Sequence, residues 1–242
     1  MHKRIMLTLV FALLAVFALC AQPVAEATPS TTQMRIVSLG PNLTETIFAL
    51  GKGDSLVGRT DYCDYPEAVF GVQSIGDLYN PNIEMIVSLT PDLVLCSSVI
   101  SPATVDALKA AGLKVEVINP QESLEGTYVL IEKVGELTGA VEEAKNLNVS
   151  IQSRIEAVAN KTAAIENKKS VYYCVGYGEW GDYTATGDTF VAGILEAAGG
   201  NNIAKNGSYW MFDKESLVAG DPEVFLLPVY AYSYPEGDIQ AL

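Results

Sequence analysis

Hydrophobic and polar positions along this chain follow two alternating rhythms. Short apolar runs recur at 35–39 (RIVSL), 55–58, 92–96 (DLVLC) and 114–118, and each predicts a strand. Between them lie stretches with helical spacing. One opens at Pro41 and runs through Leu50 to stop at Gly51, a second covers 83–89 before Pro91, and a third covers 104–111 before Gly112. The DLVLC run is almost continuously apolar, as a strand buried on both faces of a parallel sheet requires. Strands alternating with helices predict an α/β layer structure.

From 140 to 167 the rhythm changes to a single long helical pattern. Val141, Ala144, Leu147, Ile151, Ile155, Val158, Thr162 and Ile165 repeat at steps of three and four, with no Gly or Pro between them. Such a helix would be roughly 40 Å long at 1.5 Å per residue, enough to act as a spine between two halves. Beyond it the alternation restarts, with a strand at 170–175, a helix at 189–198 ended by Gly199 and Gly200, and a strand at 223–227. The halves align without a gap over one phrase. Glu84, Ile86, Val87, Pro91, Asp92 and Leu93 fall on Glu215, Leu217, Val218, Pro222, Glu223 and Val224. Helix, proline, acid and apolar strand is a common α/β order, but the matched spacing favours two related lobes.

Composition narrows the function. The 242 residues carry 15 basic and 29 acidic side chains, a formal net charge of −14, and an apolar share of 49% that supports a packed core. With so little positive charge, nucleic acid is not expected as a partner. The only histidine is His2, inside a segment that resembles an export signal. A mature chain without histidine has no His-dependent triad and no imidazole ligands for zinc or haem.

That opening segment has a basic start, His2, Lys3 and Arg4, and an apolar stretch at 5–19 too short for a comfortable membrane span. Two processing readings stay open. Ala25-Glu26-Ala27 offers a cleavage site that would release a soluble protein, whereas Cys20 offers a point of lipid attachment, although Leu19 before it is bulkier than usual. Residues 1–20 are therefore read as signal peptide, 21–33 as flexible tether, 34–139 as an N-terminal α/β lobe, 140–167 as the linking helix and 168–242 as a C-terminal α/β lobe. Cys63, Cys96 and Cys174 remain, an odd number without CxxC spacing. Small buried thiols are the favoured reading, with a Cys63–Cys96 disulfide as the alternative.

Gly176-Tyr177-Gly178-Glu179-Trp180-Gly181 spells the dinucleotide-binding pattern, yet no helix starts at its third glycine and Glu196 falls inside the next helix. Without that setting the motif carries little. The loops at strand ends hold rings and hydroxyls instead: Tyr62, Tyr65, Tyr79, Ser97, Ser98, Tyr177, Trp180, Tyr183, Tyr209, Trp210, Tyr230, Tyr232 and Tyr234. Ligands of open α/β sheets bind beyond the carboxyl ends of the strands, and such rings suit a large flat ligand with a polar rim. Glu84 and Glu215, equivalent in the two repeats, form a pair that a partner with two basic sites could read.

The segments RIVSLGPNLTETIFALG, LVGRTDYCDYP, NPNIEMIVSLTPDLVL and GDTFVAGILEAAGGNNIA, with the long helix, resemble the class III solute-binding proteins of ABC importers. The likeness runs from about Arg35 to Tyr230 and is nearest to the cobalamin-binding members. It implies two Rossmann-like lobes joined by one rigid helix, with the ligand in the cleft between them and no resident cofactor or metal site of the protein's own. The ligand would be a metal chelate: a corrinoid, a ferric siderophore or haem. The residues expected to contact it are Pro41, Asn42, Tyr62, Tyr79, Ser98, Tyr177, Trp180, Tyr209, Trp210 and Tyr230. By the same resemblance Tyr62 packs on a corrin, Trp210 lies one place from a second such ring, and Glu84 and Glu215 meet arginines of the permease. Leu78 stands where cobalamin binders carry a tryptophan, with Tyr79 next to it. Family members usually continue past 227 with another strand and one or two helices, so the second lobe is expected to be truncated. The histidine-rich zinc and manganese branch does not fit.

The reading is an exported, monomeric binding protein without catalysis that delivers a chelate to an ABC permease. An enzyme acting on a chelate, or a surface adhesion or sensor module, are the rival readings.

Overall fold

The computed structural model describes residues 33–177 and 182–227, and all but Gln33 belong to the unit that starts at Met34. Its first sheet is built from β1 (Ile36–Leu39), β2 (Leu56–Arg59), β3 (Leu93–Ser97) and β4 (Val115–Ile118), all parallel in the order β2-β1-β3-β4. The alternation of side chains along a strand divides the core in two. Ile36, Leu93 and Leu95 face one side, where Leu43 and Ile47 of α1 (Pro41–Ala49) pack with Leu130, Ile131 and Val134 of α4 (Leu124–Thr138). Val37, Leu39, Val94 and Cys96 face the other, against Ile86 of α2 (Ile83–Ser88) and Val105 and Leu108 of α3 (Pro102–Ala110). Both faces of β1 and β3 are covered, which is why those strands read as unbroken apolar runs.

The linking helix differs from its sequence pattern. It is α5 (Val141–Thr162), 22 residues or roughly 33 Å, and does not reach 167. Only Ala144 and Asn148 are buried in it, while Val141, Val158 and Ile165 of the apolar stripe are exposed. The stripe's N-terminal part, Leu147 and Ile151, packs on the first core. At its other end the hydroxyl of Thr162 donates to the Ala197 carbonyl at 3.0 Å, and a Cβ on Gly199 would lie 2.8 Å from the Thr162 Cβ. That contact anchors the helix end on the second half. Before it, α4 is a full helix that apolar spacing alone does not announce. Two glycines interrupt it for packing reasons: a Cβ on Gly135 would come within 2.5 Å of Ala144 Cβ, and one on Gly126 would strike the Gln121 carbonyl.

The second sheet centres on β5 (Ser170–Gly176), which pairs parallel with β7 (Asn201–Asn202) and β8 (Val224–Leu226) and antiparallel with β6 (Tyr183–Thr184). Helices α6 (Phe190–Ala197) and α7 (Lys214–Gly220) accompany it. The two halves repeat in detail. Asn82 caps α2 by accepting the Met85 N–H at 3.0 Å, and Asp213 caps α7 by accepting the Ser216 N–H at 2.7 Å. After each helix a non-glycine residue takes positive φ, Thr90 at 45° and Asp221 at 36°. Next, Asp92 accepts the backbone N–H of Arg35 at 2.8 Å, and Glu223 that of Ser170 at 3.1 Å. These pairs share the register found in the sequence.

Cys63, Cys96 and Cys174 are buried thiols with no disulfide among the described residues, which corrects the Cys63–Cys96 alternative. Cys63 instead accepts from the Thr44 hydroxyl at 3.2 Å. Among the described residues no helix is long and apolar enough to cross a membrane.

Candidate functional site

Because β1 to β4 are all parallel, the segments that follow them emerge at one edge of the first sheet. Pro41 and Asn42 follow β1, Tyr62 follows β2, Ser98 follows β3 and Glu122 follows β4. Gly40 makes the first of these turns close to β3, since a Cβ there would sit 2.9 Å from Ser97 Cβ. Asn42 and Ser98 are exposed at this edge and Pro41 is partly buried.

Tyr62 and Tyr79 form an edge-to-face pair with ring centroids 6.1 Å apart and planes at 82°. They remain 51% and 57% exposed, so their mutual contact leaves ring surface available to a ligand. The loop behind them is held rigidly. Arg59 donates to the carbonyls of Val69 and Thr60 and lies 5.5 Å from the Phe70 ring centroid, while Asp77 accepts the N–H groups of Tyr79 and Asn80. Leu78, beside Tyr79, turns the other way and is 7% exposed in the core. The ring presented at this place therefore belongs to Tyr79.

In the second half, Tyr183 pairs with Gly176 at the carboxyl end of β5 and also with Met211. This brings the turn carrying Tyr209 and Trp210 to that end of the sheet. Tyr209 is 83% exposed, and the Trp210 indole N–H donates to Glu122 Oε2 at 3.2 Å. The bond links the two halves at their carboxyl edges. Glu122 is absent from the residues expected from sequence; its position in the segment that leaves the end of β4 was the available signal.

Tyr177 follows β5 and is 39% exposed, but it borders a separate cavity of about 310 Å³ with Tyr172, Phe212, Lys214 and Phe225. Trp180, Tyr230 and Cys20 lie outside the described residues. Glu84 and Glu215 each occupy the second position of their helix, two places after the capping residues Asn82 and Asp213, and both are exposed. A carboxylate there is favoured by the helix dipole while its oxygens stay open to solvent.

One acid at this edge departs from ordinary behaviour. Burial, with the negative charge of Asp64 beside it, raises the Glu45 carboxyl.

Comparison with known proteins gives the family. The periplasmic binding protein family matches residues 36–227. A cobalamin-binding protein of Halobacterium salinarum is 33% identical over 226 residues, covering 88% of this chain and 60% of that protein. An uncharacterised ABC transporter substrate-binding lipoprotein of Bacillus subtilis, YvrC, is 35% identical over 198 residues, covering 79% and 62%. The present chain thus spans less than two thirds of either relative. Among solved structures, the haem-binding protein RhuT of Roseiflexus sp. RS-1 in its apo form superposes with a TM-score of 0.71 at 29% identity, over 81% of this chain and 76% of that one.

Proposed function

The chain belongs to the periplasmic binding protein family, and from that premise we propose that it is the exported substrate-binding component of an ABC importer. Its cargo is a metal chelate held between the two carboxyl edges. The observation that carries this reading is the arrangement of rings: the exposed Tyr62–Tyr79 pair on one edge, and Tyr209 with Trp210 on the other, joined through Glu122.

Exposed aromatic faces bind flat apolar surface, while their hydroxyl and indole groups meet polar substituents at its rim. A corrinoid has both features, and the Halobacterium relative bears the name of a cobalamin-binding protein. Haem is the second reading, favoured by the exposed hydroxyl-bearing rings of Tyr62, Tyr79 and Tyr209, any of which could supply a phenolate to ferric iron. A family of binding proteins implies capture and release without turnover. Delivery falls to Glu84 and Glu215, one per half, each meeting a basic site on one permease subunit.

The test is a tryptophan-fluorescence titration with cyanocobalamin, haemin and ferric siderophores. Saturable quenching at micromolar concentration or below by one of them identifies the cargo class. A folded protein that binds none of them overturns the chelate reading.

A further inference from the structure

The segment Ser208 to Met211 reverses the chain in two residues. The Met211 N–H donates to the Ser208 carbonyl at 3.0 Å, and the two central residues, Tyr209 and Trp210, both have positive φ, 55° and 64°. Turns with this sign at both centres are ordinarily made by Asn, Asp or Gly, because a Cβ crowds the backbone there. Here both places carry bulky aromatic residues. Strain of this kind persists only where neighbouring structure imposes it.

The constraint originates at Asp188. Its Oδ2 accepts the Tyr209 N–H at 2.9 Å, and its Oδ1 accepts the hydroxyl of Thr186. That hydroxyl oxygen accepts the Trp210 N–H at 3.1 Å in turn. One carboxylate thereby takes up both strained amides, one directly and one through a fully buried threonine. The Trp210 carbonyl is engaged as well, accepting the Thr184 N–H at 2.8 Å. Two glycines permit the close packing: a Cβ on Gly187 would strike the Lys205 carbonyl, and one on Gly207 would lie 2.7 Å from Thr186 Cγ2. Hydrogen bonds from Thr186 and Tyr209 hold the Asp188 carboxyl below the usual carboxylate range, consistent with an acid that works as an acceptor.

We propose that Asp188 is a positioning residue for ligand binding, which through Tyr209 and Thr186 fixes the aromatic tip of the second half in the geometry that receives a flat chelate. The ligand part of this inference rests on the function proposed above; the positioning part does not. Asparagine is a poor substitute, because both Asp188 oxygens accept and an amide offers one acceptor and one donor.

The experiment follows the Trp210 indole N–H resonance of the full chain, assigned with Trp180→Phe, together with cyanocobalamin titration. Asp188→Ala is expected to shift that resonance and to weaken binding about tenfold, the weight of one hydrogen bond to a charged acceptor. Asp188→Asn, a smaller perturbation of the fold, is expected to do the same in part. Adding Tyr209→Gly to Asp188→Ala relieves the backbone and should return the Trp210 resonance toward its original place, which general loss of stability would not produce. An unmoved resonance with affinity unchanged in both Asp188 variants overturns the proposal. If the resonance moves and is rescued but the parent binds no cyanocobalamin, positioning stands and the corrinoid reading fails.

Discussion

The Trp210 indole N–H donates to Oε2 of Glu122 across 3.2 Å, although 88 positions separate the two residues. Under the proposed function, a bulky ligand entering between the two carboxyl edges would compete with this bond. Glu122→Ala should therefore make Trp210 more accessible to acrylamide quenching and red-shift its emission. The stability cost should stay within about 1 kcal/mol, as expected for a partly solvated hydrogen bond. Unchanged quenching would show that the bond does not govern the ring.

Neighbouring residues in one loop should separate binding from folding. Tyr62→Ala and Tyr79→Ala remove exposed rings, so each should weaken chelate binding by roughly 10- to 100-fold, about 1–3 kcal/mol, with little change in stability. Leu78→Ala empties a buried site and should cost about 2–4 kcal/mol in urea denaturation. Equal stability losses in all three variants would remove the distinction.

Charge reversal tests delivery separately from capture. Glu84→Lys combined with Glu215→Lys should leave chelate affinity within about twofold, because both carboxylates are exposed on helix starts. Uptake by cells, or binding to permease in vesicles, should fall at least about tenfold, the scale of disrupting charge pairs at an interface. Normal uptake by the double variant would rule out these two acids as the docking pair.

The repeated turns make a paired prediction. Thr90 and Asp221 carry positive φ at equivalent places, so Thr90→Gly and Asp221→Gly each relieve a backbone conflict. Relief is partly offset by the greater freedom of glycine in the unfolded chain, leaving a net gain of about 0.5 kcal/mol in each. Thermal denaturation of both variants reads this, and losses in both would contradict it.

Cys96 gives the pH dependence. Burial pushes its thiol up to about 12, with Lys109 opposing. In the unfolded chain a cysteine loses its proton at a lower pH, near 8.5. The folded state therefore holds a proton that the unfolded state has released over this window, and stability falls as pH rises through it. Cys96→Ala should flatten that part of the urea-denaturation profile, and native Cys96 should resist alkylation at pH 8 until the chain is unfolded. Rapid labelling of the native thiol would refute this.

Sequence alone determined the alternation from β1 to β4 and, further on, α5, β5, α6 and β8, because covered strands must be apolar on both faces and helices apolar at steps of three and four; α4, β6 and β7 were not announced. It also determined the internal repeat, since Glu84, Pro91 and Asp92 align with Glu215, Pro222 and Glu223 whatever the fold, and the structure adds matched caps and matched positive-φ turns. The presence of α4 was less legible, because Gly126 and Gly135 serve close packing that local propensity counts as interruption, and the end of α5 because the apolar stripe continues to Ile165 although Val158 and Ile165 are exposed. The site was legible only as a set of rings near strand ends. Tertiary structure decided which rings pair, that Leu78 turns inward while Tyr79 turns outward, that Glu122 reaches Trp210, and that Asp188 holds the turn at 208–211. The physical reason is that hydrophobic periodicity is a local property of the chain, whereas a hydrogen bond between residues 88 positions apart exists only once packing has brought them within about 3 Å.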